Sequence, residues 1–313
     1  MQLRKLGRST LEIFPLSLGT NVLGRVIDEP TAFAVLDAYM EGGGNCIDTA
    51  DSYSAGESER VLGRWMKARG NRDRVIIATK LGSQMAPGKQ GLSRRYMFEE
   101  VEESLQRLQT EYIDLYQAHQ DDTRTPLEET LQAFDELVRQ GKVRVIGASN
   151  YSAARLAEAL QVSQQHGYVR YESLQPLYNL VDREAYEREV EPLCREHELG
   201  VITYFSLARG FLTGKYKPGK PLPQSQRAQQ VQKLYMNERG FSILAEVERV
   251  ASRSHATPAQ VALAWIMARP GVTAPIASAT SVEQVRELLG AVELQLDAEA
   301  ITALNTASEW QHS

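Results

Sequence analysis

Only two cysteines, Cys46 and Cys194, occur in 313 residues, and they stand far apart. A reduced, cytoplasmic protein is the natural reading, with both thiols packed as small apolar side chains. No metal is expected. No apolar run approaches the ~20 residues needed to cross a bilayer. The N-terminal apolar stretch after Arg4, Lys5 and Arg8 is interrupted by Glu12 and Pro15, which makes a poor secretory signal. Membrane attachment is therefore not expected. No long Lys/Arg block appears, and the net charge is -5, so no nucleic-acid partner is expected either. A small anionic cofactor needs only a local basic site, which net charge does not exclude. No Gly-x-Gly-x-x-Gly turn follows an early strand, which argues against a Rossmann sheet. No linker or low-complexity segment divides the chain.

What is present is an ordinary globular composition, 42% hydrophobic and 24% charged. Short apolar runs fall at 75–79, 113–118, 143–148, 201–205 and 272–276, with a first strand candidate at 16–20. Amphipathic stretches lie between them. Thr125-Pro126 with Glu128, and Thr257-Pro258 with Gln260, read as capping boxes with Pro at the first helical position. Phe33, Leu36 and Met40 lead into the glycine stop Gly42-Gly43-Gly44. Repeated β-then-α units imply a parallel sheet covered by helices. Roughly eight units over this length favour an α/β fold of the (β/α)8 TIM-barrel type, spanning 1–313 as a single domain. A hairpin is expected in residues 2–14 and one more helix from Asp297 onward. The segment 208–240, rich in Gly and Pro and then in Gln, is too long for a routine βα loop and reads as a lid or a poorly ordered connection.

Such a barrel carries its chemistry at the C-terminal ends of its strands. Unusual polar residues fall there repeatedly: Asp48, Lys80, His119, Ser149 with Asn150, Gln175, Tyr204 and Ser278. Singly each is unremarkable, and Asp48 with Lys80 could be a structural ion pair. Together they point at one rim.

Residues 44–59 (GNCIDTADSYSAGESE) and 142–150 (KVRVIGASN) closely resemble signature motifs of the aldo-keto reductases. Residues 175–179 (QPLYN) match a third family motif. Residues 206–215 (SLARGFLTGK) look like the cofactor loop of the bacterial and potassium-channel β-subunit branches. The resemblance covers nearly the whole chain. It implies NAD(P)H-dependent reduction of aldehydes or ketones by hydride transfer, with Asp48, Tyr53, Lys80 and His119 as the catalytic four. Tyr53 is then the general acid, and a nearby Lys80 ammonium is expected to lower its pKa from near ~10. Asp48 would hold Lys80, and His119 would orient the carbonyl.

The same resemblance implies a cofactor site. Tyr204 would stack on the nicotinamide, with Ser149, Asn150 and Gln175 on its carboxamide and Thr20 at its ribose. Ser206, Leu207, Gly210 and Lys215 would cover the pyrophosphate. Ser278, Thr280, Gln284 and Glu287 match positions at the adenosine end; Gln284 reads equally as completing a capping box with Ser281, and the two readings are compatible. Arg227 matches an arginine that neutralises a 2′-phosphate in the channel branch, so NADPH is the expected cofactor, with NADH as the alternative. The pattern departs at Phe205 and Ser206 (commonly Ser and Pro), at Leu288 (usually Asn) and at Cys46 (usually Phe). It also lacks a Lys or Arg near 278–280. Val22, Leu23, Tyr178 and parts of 208–240 are candidates for the substrate wall. A cofactor-holding sensor or partner subunit with little turnover, and a Lys80 Schiff-base lyase, are the competing readings. The expected partner is a small-molecule carbonyl substrate; a monomer is the default.

Overall fold

Strands buried on both faces read as near-continuous apolar runs, and the computed structural model shows what those runs build. It describes residues 2–310; Met1 and residues 311–313, the margins of the expected single-domain span, lie outside the described residues. A short antiparallel hairpin, β1 (Arg4–Lys5) and β2 (Glu12–Ile13), precedes everything else. The barrel strands follow: β3 (Ser17–Gly19), β4 (Cys46–Asp48), β5 (Ile76–Leu81), β6 (Ile113–Ala118), β7 (Val143–Ser149), β8 (Ser173–Gln175), β9 (Gly200–Thr203) and β10 (Val272–Ala277). All are parallel, each pairs with the next, and β10 pairs back to β3 to close the barrel. The expected (β/α)8 barrel with its N-terminal hairpin is the observed fold.

Helices cover the outside: α1 (Glu29–Glu41), α2 (Glu57–Arg69), α3 (Arg94–Leu108), α4 (Leu127–Arg139), α5 (Ala153–His166), α6 (Glu191–Glu196), α7 (Ala228–Tyr235), α8 (Glu238–Arg253), α9 (Pro258–Met267), α10 (Val282–Glu293) and α11 (Ala298–Ala307). Their starts follow capping chemistry. Asp28, Ser93, Ser152, Asn237, Thr257, Ser281 and Asp297 each accept a hydrogen bond from a first-turn backbone N–H. Thr257 and Gln260 complete the expected capping box. The one expected at Thr125 does not form. Asp122 claims the Thr125 hydroxyl at 2.9 Å, and α4 begins after Pro126 without a side-chain cap.

Two cores result. The larger lies between strands and helices; the smaller fills the lower barrel with Cys46, Ala78, Leu115, Val145, Ile202 and Ala274. The hairpin contributes Leu6, Leu11 and Ile13 to this inner core and plugs that end of the barrel. Cys46 and Cys194 are free and buried, and burial pushes both thiols up to about 12. The segment 208–240 is not an irregular connection throughout. It folds a 3-10 turn (Ala208–Thr213) and then α7, whose buried Ala228, Val231 and Tyr235 repeat at helical spacing. Tyr235 stacks on Phe211 at 5.8 Å between ring centroids. Among the described residues no helix is long and apolar enough to cross a membrane.

Candidate active site

The alternation of side chains along a strand decides which residues enter the barrel mouth. Asp48 ends β4 and Lys80 lies one residue before the end of β5, and both point inward, where Lys80 is fully buried. Its ammonium donates to the Asp48 carboxylate (2.8 Å), to the Thr49 carbonyl (2.7 Å) and to the Tyr53 phenol oxygen (3.3 Å). Those three acceptors use all three of its N–H groups. Gln175, at the end of β8, donates from Nε2 to the other Asp48 oxygen at 2.8 Å. The network therefore spans strands β4, β5 and β8.

Tyr53 reaches this network from a tight turn in which Ser54 and Ala55 both adopt left-handed φ of 53° and 54°. Such conformations cost free energy in residues other than glycine and persist where surroundings enforce them. Here the Ser54 hydroxyl donates to the Leu23 carbonyl (2.9 Å) and pins the turn. His119 follows β6 and anchors its backbone N–H on the Leu81 carbonyl at 2.8 Å. Its ring stands edge-on to Tyr53, 5.9 Å between centroids and at 76°. Its Nδ1 is buried and has no partner among the described residues.

Electrostatics assign protonation states. Burial and then the Lys80 charge pull His119 down to about 3, so its imidazole is neutral near pH 7. Burial pushes Asp48 upward, and Lys80 and Gln175 offset part of that shift. Burial also works against the Lys80 ammonium, but Asp48 and Tyr53 outweigh it and its pKa ends above the usual lysine value. Tyr53 differs from the expectation. Lys80 does pull its pKa down, but burial is the larger effect and the net direction is upward. The phenol stays protonated across the neutral range.

A cleft of about 850 Å³ opens above this cluster, a size ordinary for small-ligand sites. All the expected cofactor residues line it, together with Asp48, Tyr53 and His119, whereas Lys80 sits beneath its wall. Several already have internal partners. Asn150, at a left-handed φ of 58°, donates to the His119 carbonyl (2.9 Å) and accepts from the Tyr204 hydroxyl (2.7 Å). The Ser149 hydroxyl donates to the Gln175 carbonyl (2.9 Å), and that of Thr20 to the Asp48 carbonyl (2.8 Å). The Ser206 hydroxyl donates to the Thr203 carbonyl (3.0 Å). Gln284 accepts from the Thr280 N–H (2.8 Å) while its own N–H reaches Ser281, so it serves the helix start without closing a full capping box. Ser278 donates to Asn21 at 3.2 Å. Val22 lines the cleft, but Leu23 and Tyr178 do not: Leu23 is buried, and Tyr178 packs on Tyr186 and Trp265.

One bank of the cleft is cationic. Lys215 and Arg227 make no side-chain hydrogen bond or ion pair among the described residues, and the buried Nε of Arg209 has no partner. Arg209 and Arg227 both face the Phe205 ring, at 3.7 and 5.2 Å. Gly210 sits beside them at φ 94°, where a Cβ would meet Lys215 Nζ at 3.3 Å. A bare backbone beside unpaired cations fits a phosphate-bearing nucleotide. Under the Tyr53 turn lies a second buried network. Arg107 pairs with Glu59 (2.7 Å) and with Glu100, and Thr79 donates to Glu59 (2.6 Å). Asp51 sits nearby with one carboxyl oxygen unpartnered; burial, Glu100 and Glu59 push its pKa well above the usual carboxylate value.

The aldo/keto reductase family model matches residues 15–309. This chain belongs to the aldo/keto reductase family. An uncharacterized oxidoreductase of Bacillus subtilis is 36% identical over 97% of this chain and 95% of its own length. A probable voltage-gated potassium channel subunit beta of Oryza sativa subsp. japonica is 35% identical over 94% of this chain and 92% of its own. Both agree with the branch the motifs indicate, and oxidoreductase is the activity class that membership gives this chain.

The sequence pattern did not single out Arg25, Arg209 or the Arg107 network. Arg25 lies in a loop and Arg209 in a short 3-10 turn, too irregular for periodicity to carry a signal, although Arg209 falls within the 206–215 motif. The Arg107 network pairs residues up to 48 positions apart, which spacing rules do not reach.

Proposed function

We propose that this chain reduces aldehydes or ketones of small-molecule substrates to alcohols with NADPH, with Tyr53 as the general acid. The observation that carries this reading is the buried Lys80 ammonium shared between the Asp48 carboxylate and the Tyr53 phenol. A bound reduced nicotinamide supplies the hydride. Tyr53, protonated because it is buried, gives its proton to the carbonyl oxygen. The phenolate left behind lies against Lys80, whose positive charge stabilises it. Asp48 keeps Lys80 charged and in place. Neutral His119 offers a ring N–H to the same carbonyl oxygen without competing as an acid, since its pKa of about 3 leaves it no extra proton to give. In alcohol oxidation Tyr53 acts as the base.

Tyr204 and the amide oxygen of Gln175, which accepts nothing from the described residues, would hold the nicotinamide end with Ser149, Asn150 and Thr20. Ser206, Leu207, Gly210 and Lys215 would hold the pyrophosphate, and Ser278, Thr280, Gln284 and Glu287 the adenosine. Arg227 would take the 2′-phosphate and favour NADPH, with NADH the weaker alternative. Residues 1–313 act as one domain in this reading, monomeric and cytoplasmic.

The test is loss of the reduced-nicotinamide absorbance with 4-nitrobenzaldehyde, for NADPH and then NADH, beside a Tyr53→Phe control. Oxidation that drops by about 10²–10⁴-fold in the variant is the expected result. Tight cofactor binding with no turnover would shift the reading to a cofactor-holding partner subunit.

A further inference from the structure

The cleft has two banks, and the cofactor reading uses the cations of only one. Arg209, Lys215 and Arg227 all follow β9. Arg25 stands on the other bank, in the loop between β3 and α1, and lines the same cleft as Asn21, Val22 and the catalytic residues. Its side chain is exposed and makes no hydrogen bond or ion pair among the described residues. The carboxylates nearest in its own loop and beneath it are committed elsewhere. Asp28 caps α1 through the Thr31 N–H (3.0 Å). Glu57 packs under Gly24 and pairs with Arg64 (2.7 Å) and Arg60 (3.6 Å). On the cleft wall the carboxylates are Asp48, bound to Lys80, and Glu287 on α10.

The loop that presents Arg25 is held firmly. Val26 N–H bonds the Val22 carbonyl (2.9 Å), Leu23 N–H bonds the Thr20 carbonyl (3.0 Å), and Ser54 of the Tyr53 turn bonds Leu23 (2.9 Å). The backbone that carries Arg25 is thereby tied to the turn that carries the catalytic phenol. Arg25, Arg227 and Tyr53 all line this one cleft.

We propose that Arg25 is a specificity-determining residue that holds a carboxylate on the substrate, so the preferred substrates are carbonyl compounds bearing a carboxylate. This rests on the reductase reading above. The guanidinium offers a planar pair of N–H donors matched to a carboxylate, and no carboxylate of the described residues occupies them. An exposed arginine that meets no carboxylate of its own chain, on the wall of the cleft that holds the proton donor, is what such recognition requires.

The experiment compares 4-carboxybenzaldehyde with its neutral methyl ester, methyl 4-formylbenzoate, using NADPH and wild-type, Arg25→Ala and Arg25→Lys proteins. The expected result is a wild-type kcat/KM about tenfold or more higher for the carboxylate. Arg25→Ala removes that ratio through KM of the carboxylate, and Arg25→Lys retains part of it. Equal rates in the wild type, or a preference that survives Arg25→Ala, would overturn the proposal. So would a weakened NADPH affinity in Arg25→Ala with the substrate ratio unchanged, which would make Arg25 a cofactor residue. If neither aldehyde turns over, the reductase reading falls on its own. Calorimetric binding of 4-(hydroxymethyl)benzoate to the NADP+-loaded protein then decides: binding about tenfold tighter in the wild type than in Arg25→Ala supports the carboxylate site, and equal binding overturns it.

Discussion

The floor and the bank of the cleft are built on opposite principles. On the floor, every N–H of the Lys80 ammonium has an acceptor, and both Asp48 oxygens have donors. On the bank, Arg209, Lys215 and Arg227 crowd together with no carboxylate among the described residues, and burial together with their mutual repulsion lowers the pKa values of Lys215 and Arg227. The floor is complete in the folded chain, because buried charges without partners are too costly to keep. The bank leaves its charge unbalanced, and that imbalance becomes binding energy for an anion. Catalytic groups must be in place before the reaction; binding groups gain from being incomplete.

Three substitutions sharpen or break this contrast. Lys80→Met strikes the floor and has the largest effect. It strands Asp48, and we expect a loss of about 3 kcal/mol or more in urea unfolding, with kcat down by about 10²-fold or more. A variant as stable as the wild type would show that Asp48 simply takes up a proton. Arg227→Ala strikes the bank. NADPH affinity should weaken about tenfold or more, while NADH affinity holds. The melting temperature without cofactor should stay level or rise, since a repulsive neighbour is gone. A fall would mean that Arg227 stabilises the fold and the bank is not in surplus. The third effect concerns His119, whose folded pKa of about 3 lies below the ordinary 6.5. Unfolding takes up a proton between those values, so this contribution is fully present above about pH 6.5 and lost as pH falls toward about 3. Against His119→Gln, the wild type should lose ground between pH 7 and 4.5, by at most about 1.4 kcal/mol per pH unit. A constant difference would show that the imidazole is not held neutral by burial.

Much of this was legible from pattern. The apolar runs gave strands because a parallel barrel buries both strand faces, and Asp48, Lys80 and His119 declared themselves by standing at strand ends. What stayed hidden depends on contacts distant in sequence. Nothing near Thr125 reveals that Asp122 takes its hydroxyl, and nothing near Gln175 reveals that it grips Asp48 127 positions away. Helix α7 was masked by the Gly and Pro that precede it, although Ala228, Val231 and Tyr235 carried its period. The direction of the Tyr53 shift turned on how deeply the phenol is buried, which composition does not disclose.

The hairpin plug gives the chain a problem of timing. Arg4 bonds the carbonyl of Val272, 268 positions later, and Leu6, Leu11 and Ile13 fill a core made by strands up to β10. During synthesis this apolar segment leaves the ribosome well before its last partner strand exists. At typical elongation rates it waits roughly 10–60 s for its final partner strand. Through that interval its side chains stay available to a chaperone, so the nascent protein, more than the finished one, carries the risk of going astray.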